Sequence, residues 1–331
     1  MSMDQRLQQL TAWVEDELGL HADSITPASS DASFRRYFRV RQGGRSLIVM
    51  DAPPEKEDCA PFIRISAAMA GYGLNVPRVL QQDLQQGFLL LSDLGEQQYL
   101  PRLNESSADA LYADAIDALV MLQSCGDVAA DLPVYDSKLL SFEMSLMQEW
   151  FIEKHLGLSL NEQQQAVVDE ALEWLVQQAL AQPRVWVHRD YHSRNLMLTP
   201  ENNPGVLDFQ DAVLGPVTYD PVSLLKDCYI TWPRTRVEQW LDEYRLKAAA
   251  AGVAGMEDRD QLLHWFDAMG AQRHIKVLGI FARLNIRDAK PGYLQDIPRV
   301  FDYVVDACRR LPQLREFKVL LEETVAPVIK R

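Results

Sequence analysis

The chain has 331 residues, enough for a large core and more than one domain usually holds, so two lobes are expected. Its 47% hydrophobic and 24% charged residues describe an ordinary globular protein, and a net charge of −14 argues against general nucleic-acid or membrane-surface binding. Four scattered cysteines without C-x-x-C spacing argue against a disulfide framework or zinc site. No run approaches the roughly 18 apolar residues of a membrane span, and the first residues lack a basic segment followed by an apolar one. The expectation is a cytoplasmic protein with no nucleic-acid or membrane partner, monomeric by default.

Leu7, Leu10, Trp13, Val14 and Leu18 fall at helical spacing, and Gly19 can end that helix. The period then changes to that of strands. A strand is expected around Ile25, then a polar loop over residues 29–33, a strand from Phe34 to Val40, a Gln42-Gly43-Gly44 turn and a strand from Leu47 to Met50. Phe62, Ile63, Ile65 and Met69 predict a helix closing near Gly71 and Gly73, and two strands follow at 76–79 and 87–91. Thus β-β-β-α-β-β covers roughly the first 90 residues. After Ser92-Asp93-Leu94-Gly95, helices are expected over 108–122, 138–156 and 161–181.

The stretch 185–220 interrupts the helices with the only strands expected in this half. It reads V-W-V-H-R-D-Y-H-S-R-N-L-M-L and, after a turn, V-L-D-F-Q-D-A-V-L-G-P-V-T-Y-D-P. Asp220-Pro221 has the pattern of a helix N-cap followed by proline at the first helical position. The remainder is expected to be helical, broken near Pro233, Gly252–Gly255, Pro291-Gly292 and Pro298.

His188, Asp190 and Asn195 stand in the order H-R-D-x-x-x-x-N, and Asp208 follows at the end of a second short apolar run. A phosphoryl-transfer site needs that grouping. One carboxylate takes the proton of the attacking hydroxyl, while an amide and a second carboxylate hold magnesium on the ATP phosphates. Asp190 is therefore the candidate base. Asn195 and Asp208 are the candidate metal pair, both with the hard oxygen atoms magnesium selects. Asp211 is either an outer carboxylate behind them or a loop charge.

A β-rich first lobe, a short linker and a helical second lobe carrying these motifs resemble a protein-kinase-like small-molecule kinase. More narrowly the chain resembles the aminoglycoside phosphotransferase and choline kinase-like family, over nearly its whole length. Within that family, S-D-A-S-F-R-R-Y-F-R-V, M-D-A-P-P-E-K-E-D and E-W-F-I-E-K-H-L-G are similar to one branch, bacterial kinases of the anomeric hydroxyl of N-acetylmuramate and N-acetylglucosamine in cell-wall recycling. The resemblance implies an α+β bilobal fold, with residues 1–94 as the nucleotide-binding lobe and 95–331 as the helical lobe. It also implies ATP and Mg2+ as cofactors and a small sugar as partner. Aminoglycoside, choline or homoserine kinases, and a regulatory pseudokinase, are the alternatives.

The first lobe departs from the kinase pattern. No glycine occurs between Ser29 and Ser33, where Ser29, Ser30 and Ser33 would have to form an anion nest. The third strand ends Met50-Asp51, where the V-A-I-K template has its lysine. Arg35, Arg36, Arg39 and Lys56 are the possible substitutes, and Arg36 is carried as the candidate. Leu91, Ser92 and Leu94 occupy the linker expected at the adenine edge.

For the acceptor, His188 is read chiefly as an anchor of the catalytic loop, with Arg194 as a possible contact. Between Gln272 and Val300, six basic residues stand against two acidic ones. At about 100° per residue, the five from Arg273 to Lys290 share one arc about 100° wide, so Arg273 and Arg283 are candidates for an anionic acceptor group. Trp232 is a candidate sugar platform, with a core role as its default.

Overall fold

The fold is that of a computed structural model, which describes residues 3–30, 34–125 and 131–329. The chain divides into two compact units, one running to Gln97 and taking in Met197–Asp211, the other comprising Gln98–Leu196 and everything from Ala212 onward.

The smaller unit is a five-stranded antiparallel sheet with a helix on one face. Helix α1 (Met3–Ala12) continues as a wider turn to Glu17 and precedes β1 (Ser24–Ser30), β2 (Arg36–Gln42) and β3 (Arg45–Asp51). Helix α2 (Ala60–Gly71), β4 (Val79–Asp83) and β5 (Phe88–Ser92) follow, and the strand order is β1-β2-β3-β5-β4. The two-residue loop between β2 and β3 requires positive φ at both positions, and Gly43 and Gly44 adopt 54° and 81°.

Alternation decides which side chains meet α1. Phe38 and Val40 of β2, Val49 of β3, and Phe88 and Leu90 of β5 pack with Leu10, Trp13 and Val14 into one buried cluster. Arg36 and Asp51, opposite each other in the β2–β3 register, close the same face, where Asp51 binds Arg6 of α1 as well as Arg36. Tyr37, Arg39, Ile48 and Met50 project from the other face.

The larger unit is helical apart from short strands. Helix α3 (Ala108–Gln123), α4 (Ser137–Leu146, continuing to His155) and α5 (Glu162–Leu180) precede β6 (Arg184–Val187). The short ladder β7 (Leu196–Met197) with β8 (Gly205–Val206) follows, its residues from Met197 onward belonging to the smaller unit, and β9 (Val213–Pro216) then returns antiparallel to β6. Helix α6 (Tyr219–Leu225) and α7 (Arg234–Ala250) lead to α8 (Arg259–Asp288), and α9 (Ile297–Arg310) and α10 (Arg315–Leu320) complete the order. Asp258 caps α8 by accepting from the Asp260 and Gln261 N–H groups.

At 30 residues, α8 is about 45 Å long and is the element on which α4, α5, α6 and α9 pack. Gly279 is the reason the packing is so close. A β-carbon there would lie 2.3 Å from the Leu146 carbonyl carbon, so only glycine lets the two backbones meet.

Two expectations about helix ends are corrected. Asp220 is not an N-cap, because Thr218 precedes α6 and Asp220 lies inside its first turn with its carboxylate turned to the catalytic loop. Pro298 does not break a helix; it sits in the first turn of α9, where a missing N–H costs nothing. Among the described residues, no helix is long and apolar enough to cross a membrane.

Candidate active site

In the larger unit, β6 delivers the chain to His188, and the loop that follows is held by buried acceptors. The Asp220 carboxylate accepts the N–H of His188 at 2.6 Å and that of Arg189 at 3.0 Å. These two bonds hold a left-handed turn, with φ of 77° at Arg189, which a non-glycine residue keeps only when its surroundings enforce it. The Asp190 N–H then points to Nδ1 of the fully buried His188 at 3.2 Å. Further along, the Ser193 N–H reaches Asp227 at 3.0 Å, and the Ser193 hydroxyl bonds the same carboxylate. Asn195 closes the loop by donating through Nδ2 to the Asp190 carbonyl at 3.0 Å. That bond fixes Oδ1 as the end of the amide available to a cation.

The half-buried Asp190 is ringed by positive charge. Burial opposes its ionisation, but Lys276, His192, Arg273 and Arg189 outweigh burial and bring its pKa down to about 2. Arg189 and Lys276 converge on the buried Glu143, Lys276 at 2.9 Å, and Tyr135 donates its hydroxyl to the same carboxylate. Lys276 also donates to the Tyr219 hydroxyl at 3.1 Å. Burial would raise the Glu143 pKa, yet Lys276, Arg189 and the Tyr135 hydroxyl together hold it below the ordinary value. Arg273 is buried behind the loop, with Nη1 3.4 Å from Cys228 Sγ and a buried Nε that finds no acceptor among the described residues.

Asp220 has the opposite environment. Burial raises its pKa to about 7, against the pull of the His188 and Arg189 N–H donors and Arg273, and the Asp190 charge adds to the rise.

In the smaller unit, Asp208 is also left-handed, at φ 62°. The following Phe209 is fully buried, with its ring 4.9 Å from Phe62 of α2, and this anchors the turn that displays Asp208. Gln210 replaces the glycine of the kinase pattern and uses its amide to join two carboxylates, donating to Asp208 at 2.8 Å and to Asp211 at 3.3 Å.

The expected linker is ordered by polar bonds. Leu91 is buried in β5, Ser92 exchanges hydrogen bonds with the Arg78 backbone, and Arg39 grips Asp93 through Nε at 2.6 Å. Leu94 packs on Gly205, where a β-carbon would come within 2.9 Å of its Cδ1. Ser33 lies outside the described residues; Ser29 and Ser30 end β1, and their side chains are likewise outside them.

Other candidates are corrected. Arg36 is on the α1 face of the sheet, bound to Asp51, with a side chain that cannot serve the opposite face where Tyr37 and Met50 project. Trp232 is part of the core: its Nε1 donates to the Tyr112 hydroxyl at 2.9 Å, and its ring packs edge-on against Tyr112 and Trp240. The basic arc on α8 splits. Arg273 and Lys276 are buried beside the catalytic loop, whereas Arg283 lies about 15 Å further along the axis. The charges that Arg283 feels are those of Arg287, Asp288 and Glu149. Arg194 stacks on Tyr229, its guanidinium carbon 3.6 Å from the ring centre.

Sequence reasoning missed Glu143 and Asp227. Asp227 had no periodic signal, because it lies two residues beyond the end of α6 and outside any helix. Glu143 had none, since its partners come from three separate segments.

The chain is similar to known proteins at each of these levels. Residues 24–263 match the model of the phosphotransferase enzyme family. A Pseudomonas aeruginosa protein named N-acetylmuramate/N-acetylglucosamine kinase is 50% identical, with 97% of each chain covered. Proteins of the same name from Pseudomonas putida and Neisseria meningitidis are 48% and 41% identical, each with at least 96% of both chains covered. Among solved structures, the fold is similar to a Plasmodium vivax ethanolamine kinase (TM-score 0.63, 12% identity, 92% and 88% of the two chains covered). It is also similar to ADP-bound aminoglycoside phosphotransferase APH(2'')-Ib (TM-score 0.57, 16% identity, 92% and 99% covered). On the family match and the identity to full-length relatives, the chain belongs to the phosphotransferase enzyme family, in the branch of amino-sugar kinases.

Proposed function

We propose that the protein transfers the γ-phosphoryl group of ATP to the anomeric hydroxyl of N-acetylmuramate or N-acetylglucosamine, in the cytoplasm, as a step of cell-wall recycling. The observation that carries this reading is the setting of Asp190. A carboxylate with a pKa near 2 is ionised at every physiological pH and accepts a hydrogen bond from the attacking hydroxyl. It is a weak base, which suits a loose phosphoryl-transfer transition state in which the proton leaves late. It suits an anomeric hydroxyl in particular, because that group is more acidic than an ordinary alcohol.

The order of the motifs assigns Asn195 and Asp208 to magnesium, and their oxygen donors fit that ion. Bound there, magnesium would neutralise charge on the ATP phosphates. The chain's own part is positional. Asp220 and Asp227 fix the loop, Asp190 orients the hydroxyl, and the cations behind it supply fixed positive charge without reorganisation.

The names of the relatives support the acceptor, and the cationic surroundings of Asp190 disfavour the aminoglycoside and choline alternatives, whose acceptors carry positive charge. An ADP-release assay tests the reading with N-acetylmuramate, N-acetylglucosamine, their methyl glycosides, kanamycin, choline and homoserine. Turnover is expected on the two free sugars and on none of the others. Equal turnover of a methyl glycoside would overturn the anomeric assignment, and faster turnover of an amino alcohol or aminoglycoside would overturn the acceptor class.

A further inference from the structure

The third strand ends without a basic side chain, and the sheet geometry identifies what takes its place. β2 and β3 pair so that Tyr37 faces Met50 and Arg39 faces Ile48, all on the side of the sheet away from α1. A lysine at position 50 would have projected from that side. Arg35 immediately precedes β2, so the same alternation directs it to the side of Tyr37 and Met50, opposite to Arg36. Its side chain is only 10% exposed and lies 3.9 Å from Glu57, which reaches back to accept the Phe34 N–H at 3.2 Å. Burial alone would weaken its charge. Tyr37, Glu57, Asp208 and Asp211 together outweigh burial and hold the guanidinium above its ordinary pKa.

The neighbouring cations are engaged elsewhere. Arg36 is bound to Asp51, Arg39 to Asp93 and Glu96, and Arg41 to Glu96, while the exposed Lys56 lies over the Phe34 ring at 4.4 Å. Arg35 alone of these combines burial, the correct face of the sheet and the charge of Asp208.

We propose that Arg35, positioned by Glu57, is the phosphate-binding cation of the nucleotide site, in place of the lysine that the third strand lacks. The inference rests on the kinase reading above and adds the residue on which the triphosphate is held. A guanidinium suits the task because its planar fork matches two phosphate oxygens at once, and its charge does not depend on pH.

The test is calorimetric titration of the full chain with ATP, ADP and adenosine, in wild type, Arg35→Gln and Arg36→Gln. Arg35→Gln is expected to weaken ATP and ADP binding by about 10- to 100-fold, the range for losing a charge-assisted bond, while leaving adenosine binding within about two-fold. Arg36→Gln is expected to lower thermal stability without selecting against the phosphates. Arg35→Met, which keeps the aliphatic stem, gives the same readout if the glutamine variant does not fold. ATP affinity unchanged in either Arg35 variant would overturn the proposal while leaving the kinase reading intact. Failure of the wild type to bind any nucleotide would sink the kinase reading itself.

Discussion

Replacing Asp220 tests whether the catalytic loop is held from beneath. Its carboxylate is the acceptor for two consecutive buried N–H groups, His188 at 2.6 Å and Arg189 at 3.0 Å. Asp220→Ala leaves both without a partner, at about 1–3 kcal/mol each, so the loss of stability should be about 2–6 kcal/mol. The left-handed turn at Arg189, itself worth on the order of 1 kcal/mol of strain, then has nothing to enforce it. Relaxation of that turn displaces Asp190, and a shift of about 1 Å is enough to cost about 100-fold in turnover. Asp220→Asn keeps one acceptor oxygen but turns an NH2 group towards the second donor, so it should fall between wild type and alanine. Urea unfolding gives the stability loss and ADP release gives the turnover. Affinity for magnesium-free nucleotide is the control, expected to stay within about two-fold, because the proposed phosphate grip at Arg35 belongs to the other unit, whereas Asn195 of the loop would act only through the metal. The pH dependence adds a second check. Folding raises the Asp220 pKa to about 7, whereas the unfolded chain releases that proton near 3.8. The stabilisation from this group is therefore complete below about pH 4 and is lost as pH rises through about 7. Wild type should lose stability over that window more steeply than Asp220→Asn. An Asp220→Ala protein with the stability and turnover of wild type would refute the argument.

Asp190→Asn preserves shape and removes the proton acceptor; turnover should fall by about 100- to 10,000-fold with ATP affinity nearly unchanged, and an active variant would refute the role of Asp190. Because folding depresses the Asp190 pKa from 3.8 to about 2, its contribution to stability is present above about pH 4 and lost as pH falls through about 2. Asp190 should accordingly contribute no loss of kcat/KM between pH 5 and 6, which a pH–rate profile of the wild type checks. Gly279→Ala places a methyl against the Leu146 backbone and should lower stability by about 1–3 kcal/mol in thermal unfolding; a neutral result would mean that α8 and α4 can separate freely.

The sequence was most informative where one interaction type dominates. The order β-β-β-α-β-β and the helices around 108–122, 138–156 and 161–181 follow from hydrophobic period alone, and each is present. Positions 188–195 were legible because a kinase loop uses residue types in fixed order. What failed needed the third dimension. Trp232 offers the same ring to a sugar or to a core, and only its bond to Tyr112 decides between them. Arg36 and Arg35 are adjacent in sequence and opposite across the sheet, so composition could not separate a residue bound to Asp51 from one facing Met50. The basic arc on α8 gave the correct angle but no depth. Arg273 and Lys276 are buried, while Arg287 is exposed and pairs with its neighbour Asp288.

That arc also explains how a weak base comes to sit in a strongly charged place. Buried ions seldom add net stability, because the cost of leaving water is comparable to the attraction recovered. Glu143, Lys276 and Arg189 are nevertheless buried together, with Tyr135 and Tyr219 supplying further hydrogen bonds. Their arrangement makes sense as a device for holding charge in place. Glu143 compensates part of the charge of Lys276 and Arg189, so both cations remain ionised and fixed while Asp190 still feels an excess of positive charge. An apolar replacement could fill the same volume and even stabilise the fold, but it would leave Asp190 to the desolvation that works against its charge. The same embedded cations would then be missing when phosphoryl transfer places new negative charge beside the acceptor oxygen. Stability and positioning are thus set by different contacts between α4 and α8, which is why variants at Glu143 and at Gly279 are separable: the first alters the field at Asp190, the second the distance between helices.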